Sequence, residues 1–417
     1  MTNDEGNAAT AQTTKPAPSD EGAVERSETE GETTPHMVKL GDVCEVVSGA
    51  TPKTNIDEYW NGDIAWTTPA DLSKLGGKYL EDTPRKITKA GFDSCATNML
   101  PAYSVLLSSR APIGLIAINS IPVCTNQGFK SLIPGDLIDA GYLYYWLKSE
   151  TRRLQSLGTG ATFKELSKKT VERIEIPLFS MEYQRRIVAI LDRADAIRTK
   201  RRQLLAIYDE LKQSTFVNMF GDRKFPMVKS GEVMSDMRNG LSPSKTGRTY
   251  ATVLTLSAIT QGAFDAGAVK DGTFDAEPPS DKRVTCCDFL MCRGNGNKSL
   301  VGVGVYSEHD RPDLVFPDTV IAGRVDDGRI ALPYLEMVWK GKPVRGQIER
   351  AARTTNGTYK VNQQVLSNIS IPLPPLTLQR EFAHRVEAIE AARRKAEQAL
   401  ALDDELFTSL QSQAFRA

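Results

Sequence analysis

The strongest constraint on this chain is a long helix that it encodes twice. Residues Ser180 to Gly221 read SMEYQRRIVAILDRADAIRTKRRQLLAIYDELKQSTFVNMFG. Ile187, Ala194 and Tyr208 fall on a seven-residue spacing, and so do Ile190, Ile197, Leu204 and Leu211. Heptad spacing of this kind predicts one continuous helix whose apolar seam packs against another helix. Ser180 can cap its start, Glu182 suits the positive end of the dipole in the first turn, and Gly221 can take the left-handed position that stops it. At about 1.5 Å per residue the rod is roughly 60 Å long, too long for the core of a small domain.

The second copy closes the chain. Ile176-Pro177-Leu178 recurs as Ile371-Pro372-Leu373, Gln184-Arg185 as Gln379-Arg380, Asp209-Glu210-Leu211 as Asp404-Glu405-Leu406, and Phe220 as Phe415, all at one offset of 195 residues. Upstream, Met37-Val38-Lys39-x-Gly41 is answered by Met227-Val228-Lys229-x-Gly231, and Gly49-x-x-Pro52 by Gly240-x-x-Pro243. Tyr142-Leu143 is answered by Tyr334-Leu335, and Gly160-x-Thr162-Phe163-Lys164 by Gly357-Thr358-Tyr359-Lys360. Self-similarity over this length is the mark of a tandem duplication. The expected fold class is α+β: a mixed, β-rich globular domain followed by a long helix, made twice, with the two helices packed as an antiparallel coiled coil. The interiors, roughly 55–140 and 245–330, share little sequence, which suggests one scaffold carrying two different recognition surfaces.

Residues 1–36 are poor in large apolar side chains and read as a disordered acidic tail, with no apolar core of a signal peptide. Domains are expected at 37–179 and 222–375, with long helices at 180–221 and 376–417. Ile64–Thr67 and Ser104–Leu107 read as strands, Gly141–Leu147 as an apolar helix, and Ile174–Pro177 as an edge strand. The expected helix seam is Ile187, Ile190, Ile197, Leu204 and Leu211 against Phe382, Ile389, Leu400 and Leu406. Arg201 interrupts the first seam; its repeat equivalent is Ala396, and a register placing one over the other would bring Arg201 to Glu397.

Composition excludes little, with 52 Lys and Arg balancing 52 Asp and Glu. No apolar run reaches the eighteen or so residues that span a bilayer. The six cysteines show no metal-ligand spacing and read as reduced thiols of a cytoplasmic protein. Catalytic signatures are missing. Gly294-Asn295-Gly296-Asn297-Lys298-Ser299 lacks the spacing of a phosphate loop, and Glu210-Leu211-Lys212, half of a nuclease motif, sits on the heptad helix. What the chain does carry is donor-rich loops in both halves. The candidate DNA-contacting residues are Thr51, Lys53, Arg110, Asn126, Gln127 and Lys164 in the first half. In the second they are Ser244, Lys245, Arg248, Arg293, Asn295, Asn297, Lys298 and Lys360. Arg, Asn and Gln are the side chains that pair bidentately with base edges, and Lys the one that meets phosphates. Between Gln184 and Arg202 seven Arg or Lys residues face Asp192 and Asp195, a basic helix surface suited to solvent or to a polyanion.

Over residues 37–417 the chain resembles the DNA-specificity (S) subunit of type I restriction–modification systems. The resemblance lies in Lys39-Leu40-Gly41-Asp42-Val43 with Ser48-Gly49, Gln184-Arg185-Arg186-Ile187, Lys200-Arg201-Arg202-x-Leu204-Leu205, Met219-Phe220-Gly221-Asp222 and Ile371-Pro372-Leu373-Pro374-Pro375-Leu376-x-x-Gln379. It implies two target-recognition domains, each reading half of a split, asymmetric site in double-stranded DNA, held apart by the helices. It also implies no catalysis and no cofactor of its own. Two methyltransferase (M) subunits would bring S-adenosylmethionine, and restriction (R) subunits would use ATP and Mg. Two other readings remain at this point: a specificity module of a fused restriction–methylation enzyme, and a coiled-coil assembly protein with no DNA role.

Overall fold

The computed structural model describes residues 35–160, 164–355 and 357–416. The expected disordered tail lies outside these residues except at its end, where His36 belongs to the fold and opens the edge strand His36–Lys39. The described residues form two compact units, one of those up to Thr199 together with those from Ala401 onward, and one of Lys200–Leu400.

In the first unit, strands Cys44–Ser48, Lys130–Pro134, Val105–Leu107, Ile116–Asn119 and Tyr79–Leu80 stand side by side in that order. A second sheet centres on Trp60–Thr67, antiparallel to Arg85–Ile87 and parallel to Cys124–Thr125. The helix Ala140–Ser149 buries Tyr142 to Leu147 as a continuous apolar block and is capped by Asp139, which accepts from Gly141 N and Tyr142 N. Its core includes Leu40, Val105, Leu132, Tyr142, Leu147, Ile176 and Ile187.

The second unit repeats the central part of this plan, without a counterpart of Tyr79–Leu80 in its first sheet. Met234–Asn239, Val320–Val325, Asp288–Cys292 and Gly304–Tyr306 reproduce the first four strands in the same order. Thr249–Leu254 is again antiparallel to one neighbour, Val269–Phe274, and parallel to another, Arg311–Val315. The interiors, expected to have diverged, have lost sequence identity while keeping topology, because strand pairing is made by backbone groups that any residue but proline supplies.

The residues that did stay identical have visible work. Gly49 lies so close to the next strand that a Cβ would stand 2.1 Å from the Thr125 carbonyl oxygen, and at Gly240 the same atom would stand 2.0 Å from that of Phe316. Gln184 is fully buried; it accepts from Asp139 N at 2.9 Å and donates to the Leu137 and Phe179 carbonyls, both at 2.9 Å. Gln379 does the same with Ala331 N, Arg329 O and Pro374 O. Each glutamine thus satisfies three backbone groups where a long helix meets its domain. Tyr142 donates to Pro177 O and Tyr334 to Pro372 O.

The long helices run Met181–Phe220 and Leu376–Ala414. In the first unit Arg198 meets Asp404 at 2.5 Å and Phe415 packs on Tyr142. In the second unit Lys212 meets Glu390 at 3.0 Å, Arg393 meets Asp209 at 3.3 Å, and Phe220 packs on Tyr334 and Phe382. In each unit the helices are antiparallel, and the end of one half's helix seals the other half's domain.

The seam differs from expectation. Ile187 and Phe382 are buried and Ile389 and Leu400 half-buried, but Ile190, Ile197, Leu204, Leu211 and Leu406 are 36 to 55% exposed. The inner line of the first long helix is Ile187, Leu191, Ala194, Arg198, Arg201, Leu205, Tyr208, Lys212, Thr215 and Met219, in alternating steps of four and three. Long cations occupy several of its positions, Arg198 lying over the Phe407 ring at 4.1 Å and Lys212 meeting Glu390, and a search for apolar residues slides past them by one residue. The register of the Lys212–Glu390 and Asp209–Arg393 pairs sets buried Ala396 at the level of Ala206 rather than Arg201, and Glu397 pairs with Arg393 on its own helix.

Candidate nucleic-acid interface

The two donor-rich loop sets occupy the same edge of the duplicated fold. In the first unit the Gly49 turn is tied to the 125–128 segment by Ala50 N donating to Thr125 O at 2.9 Å. Thr51 Oγ1 donates to Gln127 Oε1 at 2.5 Å. The 108–114 loop joins them, with Ser109 N donating to Gly128 O at 2.7 Å and accepting through its carbonyl from Leu166 N at 2.9 Å. Thr51, Lys53, Arg110, Asn126, Gln127 and Lys164 are therefore neighbours in space. Their availability differs. Lys53, Gln127 and Lys164 are exposed, whereas Asn126 closes a turn by accepting from Gly128 N at 2.9 Å. Arg110 lies 3.7 Å from Glu165, whose carboxylate also takes Lys130 at 3.3 Å.

The second unit ties its loops in the same pattern. Leu241 N donates to Phe316 O, Arg293 N to Thr319 O, and Val361 N to Arg293 O. Arg293, Asn295, Asn297, Lys298 and Lys360 are brought together, with Gly294 and Asn295 paired to Lys360 and Tyr359 as an antiparallel ladder. Lys298 lies over the Tyr359 ring at 5.8 Å, within cation–π range. Asn295 and Asn297 spend their side-chain oxygens on local turns, accepting from Asn297 N and Ser299 N. Ser244 likewise closes a turn, its hydroxyl accepting from Thr246 N at 3.3 Å, while Lys245 and Arg248 on the same loop are exposed.

Sequence reasoning missed several residues here. A cavity of about 800 Å3 beside Arg293 and Lys360 is also lined by Arg350, Arg353, Asn362 and Gln364. Arg350 and Arg353 stand just before the repeated Gly357-Thr358-Tyr359-Lys360 loop, and a basic step flanking a duplicated loop was the available signal. Arg345 holds the base of the 293–302 loop by donating to Ser299 O and Val301 O; burial pulls its pKa down, against the nearby Glu349. In the first unit Arg85 lies over the Trp66 ring at 4.7 Å and reaches Thr68 Oγ1 at 3.3 Å.

The features that resembled catalytic fragments have other occupations. Gly294-Asn295 is a strand, and Lys212 is committed to Glu336 and Glu390. Among the described residues, no group of three or more His, Cys, Asp and Glu is placed to hold a metal ion. No described helix is long and apolar enough to cross a membrane. The arrangement offers guanidinium, ammonium and amide donors on loops held by a rigid sheet, the chemistry used to meet phosphates and base edges.

Comparison with known proteins agrees. Residues 34–207 match the family model described as the type I restriction modification DNA specificity domain. The specificity subunit of the type I restriction enzyme MjaIX of Methanocaldococcus jannaschii is 39% identical over 186 residues, which is 44% of this chain and 43% of that protein. The chain thus spans about two-fifths of that relative. The MjaVIII specificity subunit of the same organism is 20% identical over 389 residues, 87% of this chain and 88% of that one. The crystal structure of the type I restriction–modification S subunit from M. genitalium has the same fold at a TM-score of 0.57 and 16% identity, over 92% of this chain and 99% of that one. Residues 34–207 are thus similar to the type I restriction modification DNA specificity domain, and the chain shares the fold of the M. genitalium S subunit.

Proposed function

We propose that this chain is the non-catalytic, sequence-specific DNA-recognition subunit of a type I restriction–modification complex. Each unit reads one half of a bipartite, asymmetric site, and the long helices space the two readers. The observation that carries this reading is a fold built twice with the same backbone ties at one loop edge and different side chains on it. Duplicated scaffolding with dissimilar contact residues suits two unlike half-sites. The chemistry is then supplied in the cytoplasm by partners: two methyltransferase subunits that bind S-adenosylmethionine, and restriction subunits that use ATP and Mg. Docking of the methyltransferase subunits is assigned to the exposed apolar line of the first long helix, including Leu204, Ile207 and Leu211.

Mapping methylated adenines in host DNA with and without the gene tests the proposal. A split motif that disappears with the gene supports it, and an unchanged map refutes it. Methylation by the isolated chain would favour a fused enzyme instead.

A further inference from the structure

The two recognition units tie this loop edge with the same backbone bonds but differ in the charges they place on it. In the first unit Glu165 stands across from Arg110, the residue after the one whose carbonyl accepts from Leu166 N. In the second, Lys360 stands across from Gly294 in the same relation to Arg293 and Val361, so it takes the place of Glu165 and not of Lys164, its match in the sequence repeat. Glu165 neutralises its neighbours, drawing Lys130 to 3.3 Å and Arg110 to 3.7 Å. Lys360 has the opposite effect. It joins Arg293, Arg350 and Arg353 around the cavity of about 800 Å3, and among the described residues no Asp or Glu lines it. Arg350, Arg353 and Lys360 are exposed, and Arg293 is engaged chiefly by the carbonyl of Asp318 at 3.1 Å, with that residue's carboxylate 3.9 Å away.

Four cations around one concavity repel one another unless an anion enters. The neighbouring donors are amides, Asn362 and Gln364, which bond an anion without adding charge. Guanidinium groups offer paired N–H donors that match the oxygens of a phosphate. The geometry points to a phosphodiester-binding site in this cavity, formed by Arg293, Arg350, Arg353 and Lys360 and absent from the first unit. The second unit therefore anchors the DNA backbone independently of sequence, and the first unit contributes less of the salt-dependent affinity. This rests on the DNA-reading function proposed above.

The test uses the full chain, with the double substitution Arg353→Gln and Lys360→Gln, and fluorescence anisotropy on target and unrelated duplexes between about 50 and 200 mM salt. Each lost phosphate contact lowers the slope of log affinity against log salt by about one. The double variant is expected to weaken binding to both duplexes by the same factor and to lower the slope by about two, while Lys164→Gln in the first unit changes it by less. Unfolding profiles matching the parent, and recovery in Arg353→Lys with Lys360→Arg, would show that charge rather than folding is responsible. An unchanged slope in the double variant overturns the site, as does a loss confined to the target duplex, which would make these residues base readers. Preferential binding of an acidic peptide that duplex DNA fails to displace also overturns it. A parent chain that retains no duplex at any salt refutes the recognition function itself, which is a different result from an unchanged slope.

Discussion

Lys212 offers the sharpest test of how a long helix is fastened to the second unit. Its ammonium is largely buried, 3.0 Å from Glu390 on the second long helix and 3.6 Å from Glu336 on the helix Leu332–Lys340. Burial alone would lower its pKa, but Glu336 and Glu390 outweigh that and hold it above the ordinary lysine value. Lys212→Met keeps the stem and removes the charge, leaving two carboxylates with poorer partners. Removing one member of a buried ion pair costs about 3–5 kcal/mol when nothing replaces it. Here Lys340 already shares Glu336 at 3.0 Å and Arg393 borders Glu390 at 4.0 Å, so about 2 kcal/mol is expected. For a unit of this size that is roughly 4–8 °C in Tm, seen by calorimetry in the transition of the second unit alone. A raised lysine pKa stabilises fully below the unfolded value near 10.4 and is lost as pH climbs through the folded one. The gap between parent and variant is therefore flat from about pH 7 to 9 and closes only on the strongly alkaline side. Replacing the whole cluster, Lys212→Met with Glu336→Leu and Glu390→Leu, should restore most of the loss, because apolar groups of similar size need no pairing. A single variant that melts with the parent, or a triple variant worse than the single one, refutes the reasoning.

Other expectations follow from the same geometry. Gly49→Ala and Gly240→Ala each force a methyl group onto a carbonyl oxygen about 2 Å away and should cost about 3 kcal/mol apiece; thermal melts showing a loss in one and none in the other would contradict the equivalence of the two turns. Burial pushes the Cys44 thiol up to about 12 and those of Cys124 and Cys292 to about 11, whereas Cys287 is exposed. Reaction with a disulfide reagent near pH 8 should label Cys287 in the folded chain and the buried three only on unfolding, as mass spectrometry of the peptides would report. Leu204→Glu with Ile207→Glu alters exposed positions and should leave melting within about 0.5 kcal/mol of the parent while abolishing co-purification with a methyltransferase subunit; retained co-purification would remove that helix face from the docking surface.

Much of this architecture was legible in the residues. Gln184 with Gln379, Gly49 with Gly240 and Tyr142 with Tyr334 announced the duplication, and each pair proves to satisfy the same backbone groups or fill the same close approach. The helix seam was half legible. Ile187 and Phe382 were found by hydrophobicity, but Arg198 and Lys212 look like solvent residues until their carboxylate partners are known. The candidate interface was legible as loops, yet Asn126, Asn297 and Ser244 turned out to brace turns, and Arg350 and Arg353 entered only when the chain folded.

By itself the sequence determined that one unit is made twice and that each copy ends in a long helix, since identities at a fixed offset and a heptad period are one-dimensional signals. Tertiary structure alone decided which face of the helix is inward, that the divergent interiors keep one strand order, and that Glu165 and Lys360 stand in equivalent places with opposite charge. Those properties depend on which distant groups become neighbours. Backbone pairing and long-range ion pairs leave no period along the chain, so only the folded coordinates display them.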